Sequence, residues 1–197
     1  MTVHPPRRIV LASSSRYRRE LLQRLGMPFD WQAPEVDETP LAGESASDLV
    51  RRLSKAKAVA GAQQRDNALV IGSDQVAVIG DEILGKSGTH ECATAQLRKL
   101  SGKRVSFLTG LCLRDTADGQ VQLDVIPFHV TFRHLTDGQI ERYLRHDQPY
   151  DCAGSFRSEG QGIALFERME GDDPTALMGL PLIRLTEMLG VAGVLVP

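Results

Sequence analysis

The apolar positions of this chain change period several times, and each change marks an element. Ile9-Val10-Leu11-Ala12 is an unbroken apolar run, which has the length and character of a buried strand. It gives way to Ser13-Ser14-Ser15, small hydroxyl residues of the kind that cap helices. Tyr17, Leu21, Leu22 and Leu25 then recur at helical spacing, and Gly26 supplies a stop. The first unit therefore reads strand, polar turn, helix. Ser45 and Asp48 have capping-box spacing with Asp in place of Glu, and Leu49, Val50, Leu53, Ala56 and Ala60 form the stripe of a second helix. Ala68 to Ile71 is a fully apolar strand, and Gln75 to Ile79 continues extended up to a turn at Gly80-Asp81. A third helix is expected over Thr89 to Leu100, with Ala93, Leu97 and Leu100 inward and Gly102 as terminator. Val105 to Leu113 and Val121 to Phe132 read as two long strands joined through Asp118-Gly119, a hairpin signal. Thr136 with Gln139 is another capping box, opening a helix with Ile140, Tyr143 and Leu144 inside. The tail predicts a strand at Gly162 to Arg168 and a helix from Pro181 to Leu189.

Helices and strands alternate around a central antiparallel hairpin. Strict strand–helix–strand alternation would give an all-parallel sheet; this pattern gives a mixed, partly antiparallel sheet flanked by helices. The 197 residues bury roughly 70% of their unfolded surface by size scaling. That is enough for a core without disulfides or a structural metal. The basic and acidic side chains, 23 and 25, nearly cancel, so no overall basic field is present to grip a nucleic-acid backbone. No stretch has the length and apolarity of a membrane-spanning helix. Residues Met1 to Arg8 lack the basic-then-apolar order of a secretory leader. Cys92, Cys112 and Cys152 suit neither a disulfide framework nor a zinc site. Reduced thiols in a cytoplasmic protein are the expectation.

Candidate chemistry gathers in a few places. Ser13 to Arg19 sets hydroxyls, free backbone N–H groups and the guanidiniums of Arg16, Arg18 and Arg19 at one helix start, an arrangement that attracts an anion. The alternative is a capped helix with a solvated basic face, and no Gly-x-x-x-x-Gly-Lys-Ser/Thr pattern is present. Asp74 follows a buried strand and a glycine, a strand-end position suited to a general base or metal ligand, or to an Asp that accepts turn hydrogen bonds. Asp37-Glu38 lie in a loop stiffened by Pro34 and Pro40, either as fixed acids or as solvated ones. Lys55 and Lys57 are two apart on the second helix, so only one can face a given site. Lys86, in Gly85-Lys86-Ser87-Gly88, is a phosphate contact or a solvated loop residue. The histidines show no metal-ligand spacing.

In combination these segments resemble the Maf family of nucleoside triphosphate pyrophosphatases. The resemblance rests on Leu11-Ala12-Ser13-Ser14-Ser15-Arg16-Tyr17-Arg18-Arg19-Glu20-Leu21-Leu22, Val36-Asp37-Glu38, Lys57-Ala58, Ile71-Gly72-Ser73-Asp74 and Leu84-Gly85-Lys86. It continues, in register, through Leu100-Ser101-Gly102, Ala153-Gly154-Ser155-Phe156 and Gly179-Leu180-Pro181-Leu182. It implies one Maf-like domain over 1–197, with a two-lobed, ITPase-like α/β fold around a central cleft, and commonly a homodimer. It further implies hydrolysis of a nucleoside triphosphate to the monophosphate and diphosphate with a divalent cation, Mg²⁺ or Mn²⁺. On this resemblance Asp74 is the proton acceptor, or alternatively a second metal ligand, Glu38 helps hold the metal, and Ser13, Arg18, Lys57 and Lys86 clamp the phosphates.

The branch follows from smaller differences. Members acting on dTTP and UTP carry Ala-Asp-Thr after the buried strand and a Gln before the glycine of the later motif. This chain has Ser73-Asp74-Gln75 and Ser158-Glu159-Gly160, with Tyr17 in the first turn, which resembles the branch that hydrolyses 7-methyl-GTP. Tyr17, Gln75 and Glu159 are thus the expected specificity residues. N7-methylation makes guanine cationic, which an aromatic face and a carboxylate favour, and a carboxylate accepts from the guanine N1–H and amino edge. Arg16, Tyr17 and Ser87 depart from the family's usual Pro, Trp and Pro. The rival expectations are a dTTP or UTP pyrophosphatase and a nucleotide-binding regulator without turnover.

Overall fold

The computed structural model describes residues 7–196; most of the opening segment read for a leader lies outside them. The chain runs β1 (Arg8–Ala12), α1 (Arg16–Gln23), β2 (Asp30–Gln32), α2 (Ala46–Ala62), β3 (Ala68–Ile79), β4 (Glu82–Leu84), α3 (His90–Leu100) and β5 (Arg104–Asp115). β6 (Val121–Phe132), α4 (Asp137–Asp147), β7 (Phe166–Glu170) and α5 (Leu182–Val191) complete it. Short 3-10 turns lie at Gln161–Leu165 and Pro174–Ala176. The sheet has seven strands in the order β2-β1-β3-β5-β6-β7, with β4 on β3. β1 pairs parallel with both β2 and β3, and every other pairing is antiparallel. The mixed sheet expected from the sequence is present, with helices packed on it.

The lobes arise because the long strands serve two cores. Leu69 and Ile71 of β3 and Leu111 and Leu113 of β5 pack with α1 and α5. Further along the same strands, Ala77, Val105 and Phe107 pack with α3, α4 and β6. Between these cores lies the polar stretch Ser73 to Gln75. On one edge β3 is paired continuously with β5 from Leu69 to Val78. On the other edge β1 pairs only up to Gly72, and β4 begins at Ala77. Residues 73–76 therefore have no strand partner on that side among the described residues. The gap opens the cleft.

Asp74 is consequently not at the end of its own strand, as its place after Gly72 predicts. It lies within β3, just past the point where the parallel neighbour β1 stops. α2 crosses this region in close contact: a Cβ on Gly72 would lie 2.1 Å from the Ser54 carbonyl oxygen, and one on Gly110 would lie 2.2 Å from that of Val50. Only glycine lets the helix backbone approach the sheet so closely.

Other expectations shift in detail. The buried face of α2 is Leu49, Val50, Leu53, Ser54, Lys57, Ala58 and Gly61, rotated away from Ala56 and Ala60. Ser45 caps α2 by accepting from Asp48 N, and its hydroxyl donates to the Asp48 carboxylate at 2.6 Å. The Thr136–Gln139 capping box is complete in both directions. The strand expected at Gly162 to Arg168 begins only at Phe166. A Cβ on Gly162 would lie 2.2 Å from the Arg157 carbonyl oxygen, so that segment winds tightly against the preceding loop before extending. Pro181 is the N-cap of α5 and not its first turn.

Candidate active site

The site starts with the turn between β1 and α1. Ser13 is buried, and its Oγ accepts from Ser15 N at 3.1 Å. Ser15 is the N-cap of α1, which has no acidic residue in its first turn, so the positive end of the helix dipole is left uncompensated by the helix itself. The three guanidiniums expected there separate. Arg16 lies over the Tyr17 ring with Cζ 4.8 Å from the centroid, and Arg19 lies over Trp31 at 3.9 Å. Arg18 alone turns inward, its Nε donating to the Gly179 carbonyl at 2.7 Å. Burial pulls the Arg18 pKa down from its ordinary value, and the charges of Asp74 and Glu38 act against that pull. The arginine-bearing turn and the aspartate therefore face one another.

Lys57, and not Lys55, points into the cleft, because the buried face of α2 includes it. Its ammonium is 6% exposed as a residue and bridges two carboxylates: Nζ is 2.6 Å from Asp74 Oδ1 and 2.6 Å from Glu38 Oε1. Burial would raise the Glu38 pKa, but the hydrogen bond and charge of Lys57, with the charges of Lys86 and Arg18, outweigh it and hold the carboxyl below its usual range. Three cations thus surround two carboxylates here, leaving net positive charge for an incoming polyanion.

These groups line one cleft of about 730 Å³, together with Ser13, Tyr17, Gln75, Lys86 and Glu159. Lys86 is exposed, and its backbone forms an antiparallel bridge with Ala153, tying the 85–88 loop to the 150–159 loop. At that end Tyr17 is half-buried, and its hydroxyl accepts from Arg16 Nη2 at 2.9 Å and lies 3.9 Å from Cys152 Sγ. Glu159 is exposed and accepts from the Ser158 hydroxyl at 3.0 Å. Gln75 is placed differently from a free specificity residue. Its amide nitrogen donates to Thr109 Oγ1 (3.0 Å), to the Ala176 carbonyl (2.7 Å) and to the Leu177 carbonyl (3.1 Å). Its donors brace the cleft wall, and only its carbonyl oxygen is left to meet a ligand.

Two residues quoted in the motifs without a role of their own turn out to shape the site. Ser73 Oγ lies 2.9 Å from both the Gly110 and Gly179 carbonyls, and the Gly179 carbonyl is also the acceptor that aims Arg18. Gly179 has φ +100, a conformation L side chains rarely adopt; the glycine in Met178-Gly179-Leu180 was the available signal.

The fold defines the class first. This is a mixed α/β protein whose architecture is shared with the structure of a HAM1 protein from Coxiella burnetii, with a TM-score of 0.51 at 15% identity, covering 94% of this chain and 99% of that one. The description Maf-like protein matches residues 8–192, and the chain belongs to the Maf family. Similar proteins include one from Nitrosococcus oceani, 60% identical over 188 residues, 95% of this chain and 94% of that protein. Others come from Pseudomonas putida and Pseudomonas aeruginosa, each 55% identical over 96% of this chain and 98% of theirs. All three are named 7-methyl-GTP pyrophosphatase. Among the described residues no helix is long and apolar enough to cross a membrane.

Proposed function

We propose that this chain is a nucleoside triphosphate pyrophosphatase that hydrolyses 7-methyl-GTP to 7-methyl-GMP and diphosphate. The chemistry rests on one observation above the others: Asp74 and Glu38 meet on the Lys57 ammonium, within the field of Arg18, at the gap in the sheet. The base preference rests on the names of the similar proteins and on Tyr17 and Glu159 lining the far end of the same cleft.

The triphosphate enters toward the α1 N-terminus, where Ser13, the free N–H groups and the Arg18 fork receive it, with Lys86 closing from the opposite loop. Water attacks the α-phosphorus in line, and the bond to the bridging oxygen breaks so that diphosphate leaves. Lys57 holds Asp74 through Oδ1, and Oδ2 accepts the proton of the attacking water. Lys57 orients both acids and is placed to meet phosphate as well. Glu38 would hold Mg²⁺ or Mn²⁺ through its hard carboxylate oxygens, and such a cation would supply neutralisation of phosphate charge. Catalysis is then positioning plus charge stabilisation.

Diphosphate release should be measured for 7-methyl-GTP, GTP, dTTP and UTP with Mg²⁺, Mn²⁺ or chelator. The expected result is the highest kcat/KM on 7-methyl-GTP and no turnover in chelator. A preference for dTTP or UTP would move the chain to the other branch, and tight binding without diphosphate would make it a regulator.

A further inference from the structure

Glu38 has little of its own to hold it in place. It lies in the stretch 33–45 between β2 and α2, which contains no helix or strand, and every residue from Asp37 to Gly43 is exposed. Its side chain is 58% exposed even while bonded to Lys57. Apart from Val36, which packs partly buried against the cluster of Leu49, Val50 and Leu53, little apolar burial offsets the entropy of fixing this backbone. What the loop has instead is Arg52. This residue lies on α2, on the same rigid helix as Lys57. Its Nε is 2.6 Å from Glu44 Oε1, its Nη2 is 2.8 Å from Glu44 Oε2, and that Nη2 also donates to the Thr39 carbonyl at 3.1 Å. Glu44 in turn accepts from Leu41 N at 3.0 Å, and Asp37 Oδ1 accepts from Thr39 N at 2.9 Å. The two-pronged bond to a carboxylate is the geometry that guanidinium favours and ammonium cannot copy.

We propose that Arg52 is a positioning residue that, through Glu44 and the Thr39 carbonyl, clamps the 39–44 segment to α2 so that Glu38 is delivered to Lys57 and the cleft. One helix then carries both the anchor of the loop and the cation its acid must reach. Arg52 itself touches no reacting group. The kinetic part rests on the pyrophosphatase reading; the structural part does not.

The test uses the full chain as wild type, Arg52→Gln, Arg52→Lys, Glu38→Gln and the Arg52→Gln/Glu38→Gln double variant, with Arg51→Gln as a neighbouring control. Hydrogen exchange should show the Thr39 and Leu41 amides exchanging about 10-fold faster in Arg52→Gln while the amides of β3 keep their protection. Turnover on 7-methyl-GTP should fall about 10-fold or more in Arg52→Gln, as for groups that orient a ligating carboxylate. It should recover only partly in Arg52→Lys, and Arg51→Gln should match wild type. In the Glu38→Gln background the further loss on removing Arg52 should disappear. Unchanged loop exchange in Arg52→Gln overturns the clamp, and so does an equal fall in turnover with and without Glu38. A wild type that releases diphosphate from no nucleotide overturns the proposed function instead, and the exchange experiment still decides the clamp.

Discussion

The two ends of the cleft are built differently. At the end beside the α1 N-terminus Ser13, Lys57 and Asp74 are buried and are carried by, or directly follow, regular elements. There α2 is pressed onto β3 and β5 at Gly72 and Gly110. At the other end Asp151 and Glu159 are exposed and belong to a loop, and Glu159 is bonded to its sequence neighbour Ser158. That loop is not loose throughout. Phe156 is 5% exposed and meets Phe107, Phe132 and Phe166 edge-on, with centroids 4.8 to 5.7 Å apart, and the Tyr143 hydroxyl accepts from Arg157 N at 2.9 Å. The root of the loop is a core residue and its tip is free. On the proposed function, the groups that act at phosphorus need sub-ångström placement and are set on the sheet, whereas recognition of the base falls to exposed side chains.

The largest expected effect comes from the rigid end. Asp74→Asn keeps the shape of the side chain but cannot accept the water's proton, and turnover should fall by about 100-fold or more while KM changes little. Steady-state kinetics on 7-methyl-GTP decide it. Near-normal turnover would take Asp74 out of the proton-accepting role and leave the contrast between the two ends without its chemical basis.

Much of the rigid end was legible in the sequence because its signals are local. Ser13-Ser14-Ser15 between an apolar run and a helical stripe announces the turn, and Ile71-Gly72-Ser73-Asp74 announces a carboxylate where a buried strand meets a polar stretch, though the strand continues through it. Two things were hidden. The gap in pairing beside residues 73–76 depends on where β1 stops and β4 begins, which is a relation between strands and leaves no mark within β3. The choice between Lys55 and Lys57 turned on a rotation of α2 set by glycines on other elements, Gly72 and Gly110. Gln75, next to Asp74 on β3, could not be assigned to the wall before its acceptors, the Ala176 and Leu177 carbonyls, were in place.

A smaller effect is expected from the free tip. Glu159→Gln replaces a group that only accepts hydrogen bonds with one that also donates. The ratio of kcat/KM for 7-methyl-GTP to that for dTTP should shrink by about 10-fold, the size of one well-placed base-edge contact. Overall fold and thermal midpoint should not change, since the side chain is exposed. An unchanged ratio would mean that discrimination resides elsewhere, with Tyr17 the next residue to replace.

The smallest effect probes the place where the comparison breaks. Glu38 reaches the rigid end through Lys57 but rides on an exposed loop, and the ion pair of Glu44 with Arg52 ties that loop to α2. The Arg52 hydrogen bond, with that from Leu41 N, lowers the Glu44 carboxyl to about 2. A carboxyl whose folded pKa is depressed contributes stability that is complete above its unfolded value of about 4.3 and is lost as pH falls toward the folded value. The 39–44 segment should therefore loosen between about pH 4 and pH 2. Thermal midpoints of wild type and Glu44→Gln, followed from pH 6 downward, should differ most at the neutral end and converge in acid. A constant gap across that range would show that Glu44 steadies the loop by shape and not by charge.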